Sequence, residues 1–350
     1  MSTSVKKISI KDIAKELNLS ITTVSFVLNG KGKKMGISPE TNNRVHALIK
    51  KRGFKPNNAA RMLRNGKSKT IGLIVEDISN SFFGRIAKVI EVEANKNGYS
   101  VFFSSTENNN ATAKKLINKM KDSSVDGYII TATQGLKTEI LKLKEENIPF
   151  VLIDRLVPGV DADYVILDNY TGAYNLTKHL IDNNYTKIGF VTIENGMSQM
   201  IDRERGYNDA LANAKIKTGY NSILKVALGQ SDEVIVDRIK NFIAENPAID
   251  SLFFSTNYLG VFGIEAIQKN NLKIPSNIAV VSFDDNVFFK LLTPSITVAA
   301  QPIKEIATKA IQHLLKKIES DNKQSRPYGQ IIMPDIIVRN SSPKRKLHAK

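Results

Sequence analysis

Beyond residue 69 the chain alternates between short apolar runs and longer stretches in which apolar residues have helical spacing. The apolar runs are Ile71–Val75, Tyr99–Phe103, Gly127–Ala132, Phe150–Ile153, Ile188–Ile193, Leu252–Ser255 and Ile278–Phe283. Between them apolar residues recur every three or four positions, as at Ile86, Ile90 and Ala94. Such strands alternating with helices are typical of parallel sheets covered on both faces. The pattern predicts two doubly wound α/β lobes with a ligand cleft at the carboxyl ends of their strands.

The first part of the chain has a different pattern, of short helices separated by tight turns. Ser9 and Asp12 have the spacing of a capping box, which predicts a helix over about Ile10–Leu17. Asn18 suits a left-handed turn, and Ser20 can cap a second helix. A third helix opens at Ser38, with Pro39 in its first position. Two short helices joined by so tight a turn indicate a helix-turn-helix head.

The charge of the chain is concentrated in this head. The whole chain has 50 Lys+Arg and 34 Asp+Glu, a formal net charge of +16. Residues 1–70 contain sixteen basic and three acidic residues, a net charge of +13, so the rest carries only +3. Clustered Lys and Arg neutralise nucleic-acid phosphates, whereas the simpler interpretation is a solubilising charged segment. The fold signals in the head favour nucleic-acid binding.

Composition argues against several other classes of protein. With no cysteine, the chain can form no disulfide, Cys-based zinc site or thiol nucleophile. No apolar run approaches the length of a membrane span, and residues 1–7 lack the apolar region of a secretory signal. The four histidines are scattered with no metal-ligand spacing, and no cofactor-binding loop is recognisable. We therefore expect a cytoplasmic protein that is not an enzyme, with no catalytic residue, metal or cofactor and no membrane partner.

Several motifs carry a resemblance to a known family. They are Ile-x-Asp-Ile-Ala from Ile10, Leu-Ser-x-x-Thr-Val-Ser from Leu19, Val-Leu-Asn from Val27, Pro-Asn-x-Ala-Ala-x-x-Leu from Pro56 and Thr-Ile-Gly-Leu-Ile-Val from Thr70. The chain thereby resembles the lactose-repressor (LacI/GalR) family of bacterial transcription regulators from about Ile8 to Arg339. The resemblance implies a helix-turn-helix head, a hinge helix, and two periplasmic-binding-protein-like lobes. The expected boundaries are 1–55 for the head, 56–69 for the hinge or linker, 70–340 for the effector-binding and dimerisation domain, and 341–350 for a basic tail.

The resemblance also implies which head residues contact DNA. Ile21 and Thr22 lie where family members read bases, and Thr23, Ser25 and Asn29 lie at phosphate anchors. Asn57, Ala60 and Leu63 fall in the hinge segment, where Leu63 is expected to wedge into the minor groove. The sequence departs from the family pattern in two places. Phe26 stands where Arg is common, and residues 30–37 form a loop about three residues longer than usual, which either adds phosphate contacts or is simply solvated.

Polar residues at strand ends are the candidates for effector binding. Asp154, Asn257 and Asp284 each end an apolar run, Arg203 resembles the ligand-binding arginine of the family, and Phe82 can stack on a sugar face. Each alone is equally compatible with a capping, surface or core role. Their convergence suits a polyol, although Tyr258 replaces a common Asp and leaves ligand identity open.

These observations predict a sequence-specific DNA-binding transcription regulator, with repression as the preferred role. Its affinity for the operator is controlled by a small sugar-like effector bound between the lobes. The partners are a pseudo-palindromic double-stranded operator, a sugar or sugar phosphate, and a second copy in a homodimer near the bacterial nucleoid. The alternatives are a sugar-binding protein with no regulatory role and a regulator that senses a nucleobase or sugar phosphate.

The lobes are expected at about 70–167 with 300–328 (N-lobe) and 168–298 with 329–340 (C-lobe). The apolar faces of Ile86–Ala94 and Leu116–Met120 are either dimer interface or internal core.

Overall fold

The computed structural model describes residues 8–54, 66–194, 196–216, 222–227, 229–320 and 327–346. The chain divides into two compact units, Met1–Ser68 and Lys69–Lys350. In the first unit, helices α1 (Ile10–Leu17) and α2 (Ile21–Leu28) are followed by a short 3₁₀ turn (Lys33–Met35) and by α3 (Pro39–Arg52). The predicted helix-turn-helix is thus present.

Local side-chain chemistry sets the ends of the head helices. The Ser9 hydroxyl accepts a bond from the Asp12 amide, and the Asp12 carboxylate accepts the Ser9 amide at 2.8 Å, which completes the capping box. Asn18 ends α1 with φ 53° and ψ 47°, and the Ser20 hydroxyl accepts the Thr23 amide at 2.9 Å. The three helices then enclose a small core made of Ile13, Ala14, Val24, Val27 and Val45.

The second unit consists of two α/β lobes. The elements of the N-lobe are β1 (Thr70–Val75), α4 (Ser81–Lys96), β2 (Ser100–Ser105), α5 (Asn110–Asp122), β3 (Gly127–Ile130), α6 (Lys137–Glu145), β4 (Phe150–Ile153) and β5 (Tyr164–Leu167). The C-lobe continues with α7 (Asn169–Asp182), β6 (Ile188–Glu194), α8 (Ser198–Asn213), β7 (Ile223–Ala227), α9 (Asp232–Glu245), β8 (Ser251–Phe254), α10 (Asn257–Lys269), β9 (Ala279–Phe283), α11 (Val287–Leu291) and β10 (Thr297–Ala300). Helix α12 (Ile303–Glu319) and β11 (Gly329–Ile332) return to the N-lobe, and β12 (Asp335–Ile337) ends in the C-lobe.

The two sheets have equivalent strand orders. Through the described residues the N-lobe order is β11-β5-β4-β3-β1-β2 and the C-lobe order is β12-β10-β9-β8-β6-β7. Neighbouring strands are parallel except β12, which pairs antiparallel with β10. The predicted fold class, a helical head followed by two doubly wound lobes, is confirmed. Because the orders match, β4 and β9 are equivalent strands, as are β3 and β8.

The chain passes between the lobes three times, and two of the expected boundaries need correction. The first crossing, at Asp168 between β5 and α7, is where it was expected. The second follows Ala300, since β10 belongs to the C-lobe sheet. The third was placed too early, because residues 329–332 pair with β5 in the N-lobe sheet and the chain crosses only at Met333 and Pro334.

The predicted basic tail is also corrected. Ser341 and Ser342 are buried in the C-lobe, where the Ser341 hydroxyl donates to the Val280 carbonyl at 2.6 Å and accepts the Thr297 amide at 2.8 Å. Further along, the Arg345 guanidinium bonds Asp250 at 2.8 Å. Residues 341–346 are therefore an integral part of the C-lobe, and residues 347–350 lie outside the described residues.

The apolar helix faces of the N-lobe form internal core. Ile86, Ile90 and Ala94 are fully buried against strands of the sheet, and Ile117 and Met120 are buried in a second cluster on the other face. Of the two interpretations left open by the sequence, the structure supports core for these residues. No helix in the described parts of the chain is both long and apolar enough to cross a membrane.

Candidate functional site

Helix α2 of the head exposes one polar stripe. Val24 and Val27 are buried on its inner side, so Thr22, Ser25 and Asn29 share the outer side with the half-buried Phe26. Ile21, at the start of the helix, is 45% exposed. Exposure on this side is what contact with the major groove requires, and the DNA-contact roles of these residues stay a prediction.

Two of the predicted DNA-contact residues also have local roles. The Thr23 hydroxyl lies 2.8 Å from the capping hydroxyl of Ser20 and is half-buried. The Asn29 amide nitrogen donates to the Ser25 carbonyl and lies 3.3 Å from the Ser25 hydroxyl. The outer stripe of α2 is thereby held in a defined conformation. Asn57, Ala60 and Leu63, the predicted hinge contacts, lie outside the described residues.

The enlarged loop after α2 has a regular backbone structure. The Lys31 amide donates to the Phe26 carbonyl at 2.9 Å, and the Ile37 amide donates to the Gly32 carbonyl at 2.9 Å. The loop therefore continues directly from the outer stripe of α2. Its exposed basic side chains, called the loop lysines below, are Lys31, Lys33 and Lys34.

A polar cleft lies between the two lobes, at the carboxyl ends of their strands. It encloses about 490 Å³ of empty space, including the part open to solvent. All five residues predicted for effector binding line it, namely Phe82, Asp154, Arg203, Asn257 and Asp284. The structure thus brings together residues that are separated by up to 202 positions in the sequence.

Asp154 and Asp284 occupy equivalent positions in the two lobes. Asp154 follows β4 and Asp284 follows β9, and both have left-handed backbone conformations, with φ values of 68° and 66°. Asp tolerates this conformation better than most residues with a side chain. Each lobe therefore contributes a carboxylate to the cleft through the same turn after the same strand.

Arg203 is the most deeply buried cation of the cleft. Only 2% of its surface is exposed, and its guanidinium lies over the Phe283 ring, 3.7 Å from the centroid. Its Nε donates to Asn169 at 2.8 Å, and Nη1 donates to the Ser255 carbonyl at 2.6 Å and to Asp284 at 3.4 Å. Helix α8 supplies the arginine, so one side chain links several strand ends of the C-lobe.

The pKa of Asp284 is set by opposing effects of burial and of its neighbours. Burial, the largest effect, raises its pKa, while Arg203 and a hydrogen bond of 2.6 Å from Gln301 act to lower it. The nearby charge of Asp154 raises the pKa further. The net direction of the pKa is upward, so this carboxyl takes up a proton more readily than an exposed one.

Arg155, which directly follows Asp154, is a second buried cation that was not predicted from the sequence. Only 3% of its surface is exposed. The Nε atom donates to Asp154 at 2.9 Å, the Nη1 atom donates to Asn108 at 3.0 Å, and the Nη2 atom donates to Glu76. Nη1 also lies 2.6 Å from the sulfur of Met197 in the C-lobe. Burial is the largest effect and lowers the pKa of Arg155, but attraction by Asp154 and Glu76 outweighs it and raises the pKa overall.

Other lining residues were also missed. Glu76 directly follows β1, and Gln199 lies in the first turn of α8, with its Nε2 3.5 Å from Asp154 of the opposite lobe. Tyr258 also lines the cleft, and burial raises the pKa of its hydroxyl. The position of Glu76 after a strand was a signal that could have identified it. The remaining lining residues not predicted from sequence include Asn80, Phe83, Ile193, Met197, Met200, Thr256 and Gln301.

The cleft resembles a binding site rather than a catalytic one. Its carboxylates Asp154 and Asp284 accept hydrogen bonds from Arg155, Arg203 and the Gln301 amide group, an arrangement that holds the carboxylates in place. No group of His, Asp or Glu that could hold a metal ion occurs among the described residues.

Comparison with known proteins identifies the family. A model described as bacterial regulatory proteins of the lacI family matches residues 9–57, and one described as periplasmic binding proteins and sugar binding domain of the LacI family matches residues 68–334. The chain is 29% identical over 340 residues to the HTH-type transcriptional regulator RegA of Clostridium saccharobutylicum, covering 95% of this chain and 99% of RegA. It is also 29% identical over 337 residues to the ribose operon repressor of Halalkalibacterium halodurans, covering 95% and 97% of the two chains.

A solved structure shows the same fold. The lac repressor dimer bound to operator and the anti-inducer ONPF matches with a TM-score of 0.84 at 18% identity, covering 97% of this chain and 100% of that one. Since the family models span the head and most of the lobes, the protein belongs to the LacI family of bacterial regulatory proteins and is a DNA-binding transcription regulator with a sugar-binding type of effector domain, not an enzyme.

Proposed function

We propose that this protein is a repressor whose affinity for operator DNA is set by a small sugar-like effector in the interlobe cleft. The observation that carries the proposal is the presence, in one chain, of an exposed helix-turn-helix stripe and a polar cleft built from both lobes. Relatives named ribose operon repressor and HTH-type transcriptional repressor PurR support the direction of control.

The protein acts as a homodimer on a pseudo-palindromic operator, in the cytoplasm and at the nucleoid. The lac repressor dimer bound to operator supports this arrangement. In each head, Ile21 and Thr22 read base edges, and Thr23, Ser25 and Asn29 contact phosphates. Asn57, Ala60 and Leu63 belong to the hinge segment that completes the DNA contact, with Leu63 as an apolar wedge.

The effector acts by changing how the lobes are held together. Two contacts already cross the cleft, one from Gln199 to Asp154 at 3.5 Å and one from the Arg155 guanidinium to the Met197 sulfur. An effector bound by Phe82, Asp154, Arg203, Asn257 and Asp284 adds contacts to both sides. It changes DNA affinity only to the extent that it binds one arrangement of the lobes more tightly, and DNA changes effector affinity by the same factor.

Two variants separate the two functions. An operator is first selected from a pool of random duplexes with the full-length protein, and binding is then measured by fluorescence anisotropy with and without sugars. We expect the double variant Thr22→Ala/Ser25→Ala to lose specific operator binding and to keep thermal stabilisation by the effector. Asp284→Ala is expected to keep operator binding and lose the response to effector. If operator affinity survives in the double variant, the head assignment is wrong; if Asp284→Ala responds normally, the cleft is not the effector site.

A further inference from the structure

A second pocket lies at the base of the C-lobe, at the amino ends of its strands. It is formed within residues 243–249, between the last turn of α9 and β8, and within residues 270–278, between α10 and β9. We call it the basal pocket. It encloses about 750 Å³ of empty space, including the part open to solvent, compared with about 490 Å³ for the interlobe cleft. The basal pocket is therefore large enough for a small organic molecule.

The basal pocket is separate from the interlobe cleft. Helix α10 begins at Asn257, which lines the cleft, and ends one residue before Asn270, which lines the basal pocket. This helix has 13 residues and so extends about 20 Å. Strand β9 runs between the same two places, from the residue after Ile278 to the residue before Asp284. A ligand in the basal pocket thus occupies the opposite end of elements that hold two of the proposed effector residues.

The described lining of the basal pocket carries no charged side chain. Six of its nine residues are apolar, and the branched side chains among them belong to Ile243, Ile249, Leu272 and Ile278. The interlobe cleft, in contrast, is lined by three carboxylates and two guanidinium groups. A charged ligand would leave water for a pocket that has no opposite charge to pair with it, which is unfavourable. The basal pocket therefore suits a neutral ligand with apolar groups.

Two of the three polar lining residues, Asn246 and Asn270, directly follow the ends of α9 and α10. The Asn246 Nδ2 atom donates to the Phe242 carbonyl at 2.8 Å. The Asn270 Nδ2 atom donates to the carbonyls of Lys240 and Ala266, at 3.1 Å each. Within the part of the chain that the structure describes, neither Oδ1 atom accepts a hydrogen bond from the protein. Both carboxamide oxygens are therefore available to N–H groups of a ligand.

The third polar residue, Asn277, uses its carboxamide in the opposite sense. Its Oδ1 atom accepts the Lys273 amide at 2.8 Å, and its Nδ2 atom donates to no acceptor among the described residues. A carboxamide nitrogen carries two N–H donors, so Asn277 can donate to a ligand carbonyl. The basal pocket thus combines apolar walls with two acceptors and one donor.

We propose that the basal pocket is a second ligand site, which takes an uncharged and largely apolar compound with secondary amide groups, such as a hydrophobic cyclic dipeptide. An amide presents an N–H donor beside a C=O acceptor, which complements the oxygens of Asn246 and Asn270 and the nitrogen of Asn277. The apolar substituents of such a ligand pack on the branched side chains of the pocket and leave water. A sugar would instead place hydroxyls against these apolar walls, which is unfavourable.

Isothermal titration calorimetry of the full-length protein tests the ligand class with three matched probes. They are cyclo(Leu-Leu), its N,N′-dimethyl derivative, which lacks the N–H donors, and cyclo(Leu-Asp), which carries a carboxylate. We expect cyclo(Leu-Leu) to bind at least about tenfold more tightly than the other two, because one has lost its donors and the other brings an unpaired charge into the pocket. No binding of cyclo(Leu-Leu), or equal binding of either counterpart, would overturn the proposal.

A variant that fills the pocket shows where cyclo(Leu-Leu) binds. Ala244 lines the basal pocket and is exposed, so Ala244→Phe takes up space there without removing a buried contact. This variant should weaken binding of cyclo(Leu-Leu) more than about tenfold. Ala212→Phe is the matched control on α8, at an exposed residue outside this lining, and should leave the affinity unchanged. If Asp284→Ala weakens binding and Ala244→Phe does not, the probe lies in the interlobe cleft and the proposal is wrong.

A change of one atom tests the role of Asn277 as a donor. Asn277→Asp keeps the oxygen that accepts the Lys273 amide but removes the Nδ2 donor, and should weaken binding of cyclo(Leu-Leu) about tenfold. Asn271→Asp is the control, because it adds the same charge at an exposed residue that does not line the pocket. Wild-type affinity in Asn277→Asp, or an equal loss in Asn271→Asp, contradicts the proposed recognition of an amide.

Discussion

Replacement of Arg203 by Met tests how much the cleft depends on its most buried cation. The methionine fills a similar volume but removes the donor to Asn169, the Ser255 carbonyl and Asp284, of which Asp284 keeps only its hydrogen bond from Gln301. Removing one partner of a buried ion pair costs about 3–5 kcal/mol, because the other charge stays buried and unpaired. Asp284 can take up a proton, since its pKa is already raised, so we expect the lower end of this range, about 3 kcal/mol.

The measurement is urea unfolding of the full-length protein followed by circular dichroism. Arg205→Met is the control, because Arg205 lies two residues away on α8 and pairs with Asp202 at 3.1 Å across an exposed surface. Exposed ion pairs contribute about 0–1 kcal/mol, so this control should change the free energy of unfolding very little. If Arg203→Met costs less than about 1 kcal/mol as well, the reasoning that Arg203 is an obligatory buried partner is refuted.

Three further predictions concern other parts of the molecule. Replacing the loop lysines with Gln removes six of them from a homodimer and should lower the slope of log K against log salt for operator binding by up to about 5.4, at about 0.9 per phosphate contact. The slope is measured by anisotropy between roughly 50 and 200 mM salt, and an unchanged slope means that the loop is only solvated. Ser341→Ala should lower the free energy of unfolding by about 2 kcal/mol, because two buried partners lose their hydrogen bonds; tolerance would show that residues 341–346 are dispensable. Burial raises the pKa of Asp163, but hydrogen bonds with His313 and Lys317 outweigh burial and lower the pKa to about 2. The ionised Asp163 therefore stabilises the folded protein above about pH 4, and this stabilisation is lost as the pH falls from 4 to 2. Asp163→Asn should therefore destabilise the wild-type protein at pH 6 by about 2 kcal/mol and much less at pH 2, as measured by urea unfolding.

Local sequence determined the head almost completely. The Ser9 capping box, the left-handed Asn18 and the Ser20 cap all form as predicted, and α1 has the predicted bounds. These features involve residues within four positions of each other, so their chemistry is visible in the sequence. The apolar runs likewise predicted strands in both lobes, because continuous burial leaves a continuous apolar pattern in β3, β4, β8 and β9. Strand β2 is an exception, since Phe102 and Phe103 are exposed there.

The sequence also predicted five cleft residues, through a rule of position and the family resemblance. Asp154, Asn257 and Asp284 follow apolar runs, and the carboxyl ends of parallel strands share one edge of a sheet. The same rule of position did not identify Arg155 as a cleft residue, although Arg155 directly follows Asp154. Its role depends on Glu76, Asn108 and Met197, which come from distant parts of both lobes.

The path of the chain after β11 could be determined only from the tertiary structure. Strand β11 runs toward the cleft in the N-lobe, and only Met333 and Pro334 separate it from β12. Without a crossover helix the chain enters the C-lobe from the cleft side, so β12 must run antiparallel to β10. The buried contacts of Ser341 follow from that path. Elements set by neighbouring residues could thus be predicted from the sequence, whereas the charge balance of the cleft and the course of the last residues depend on contacts between distant segments.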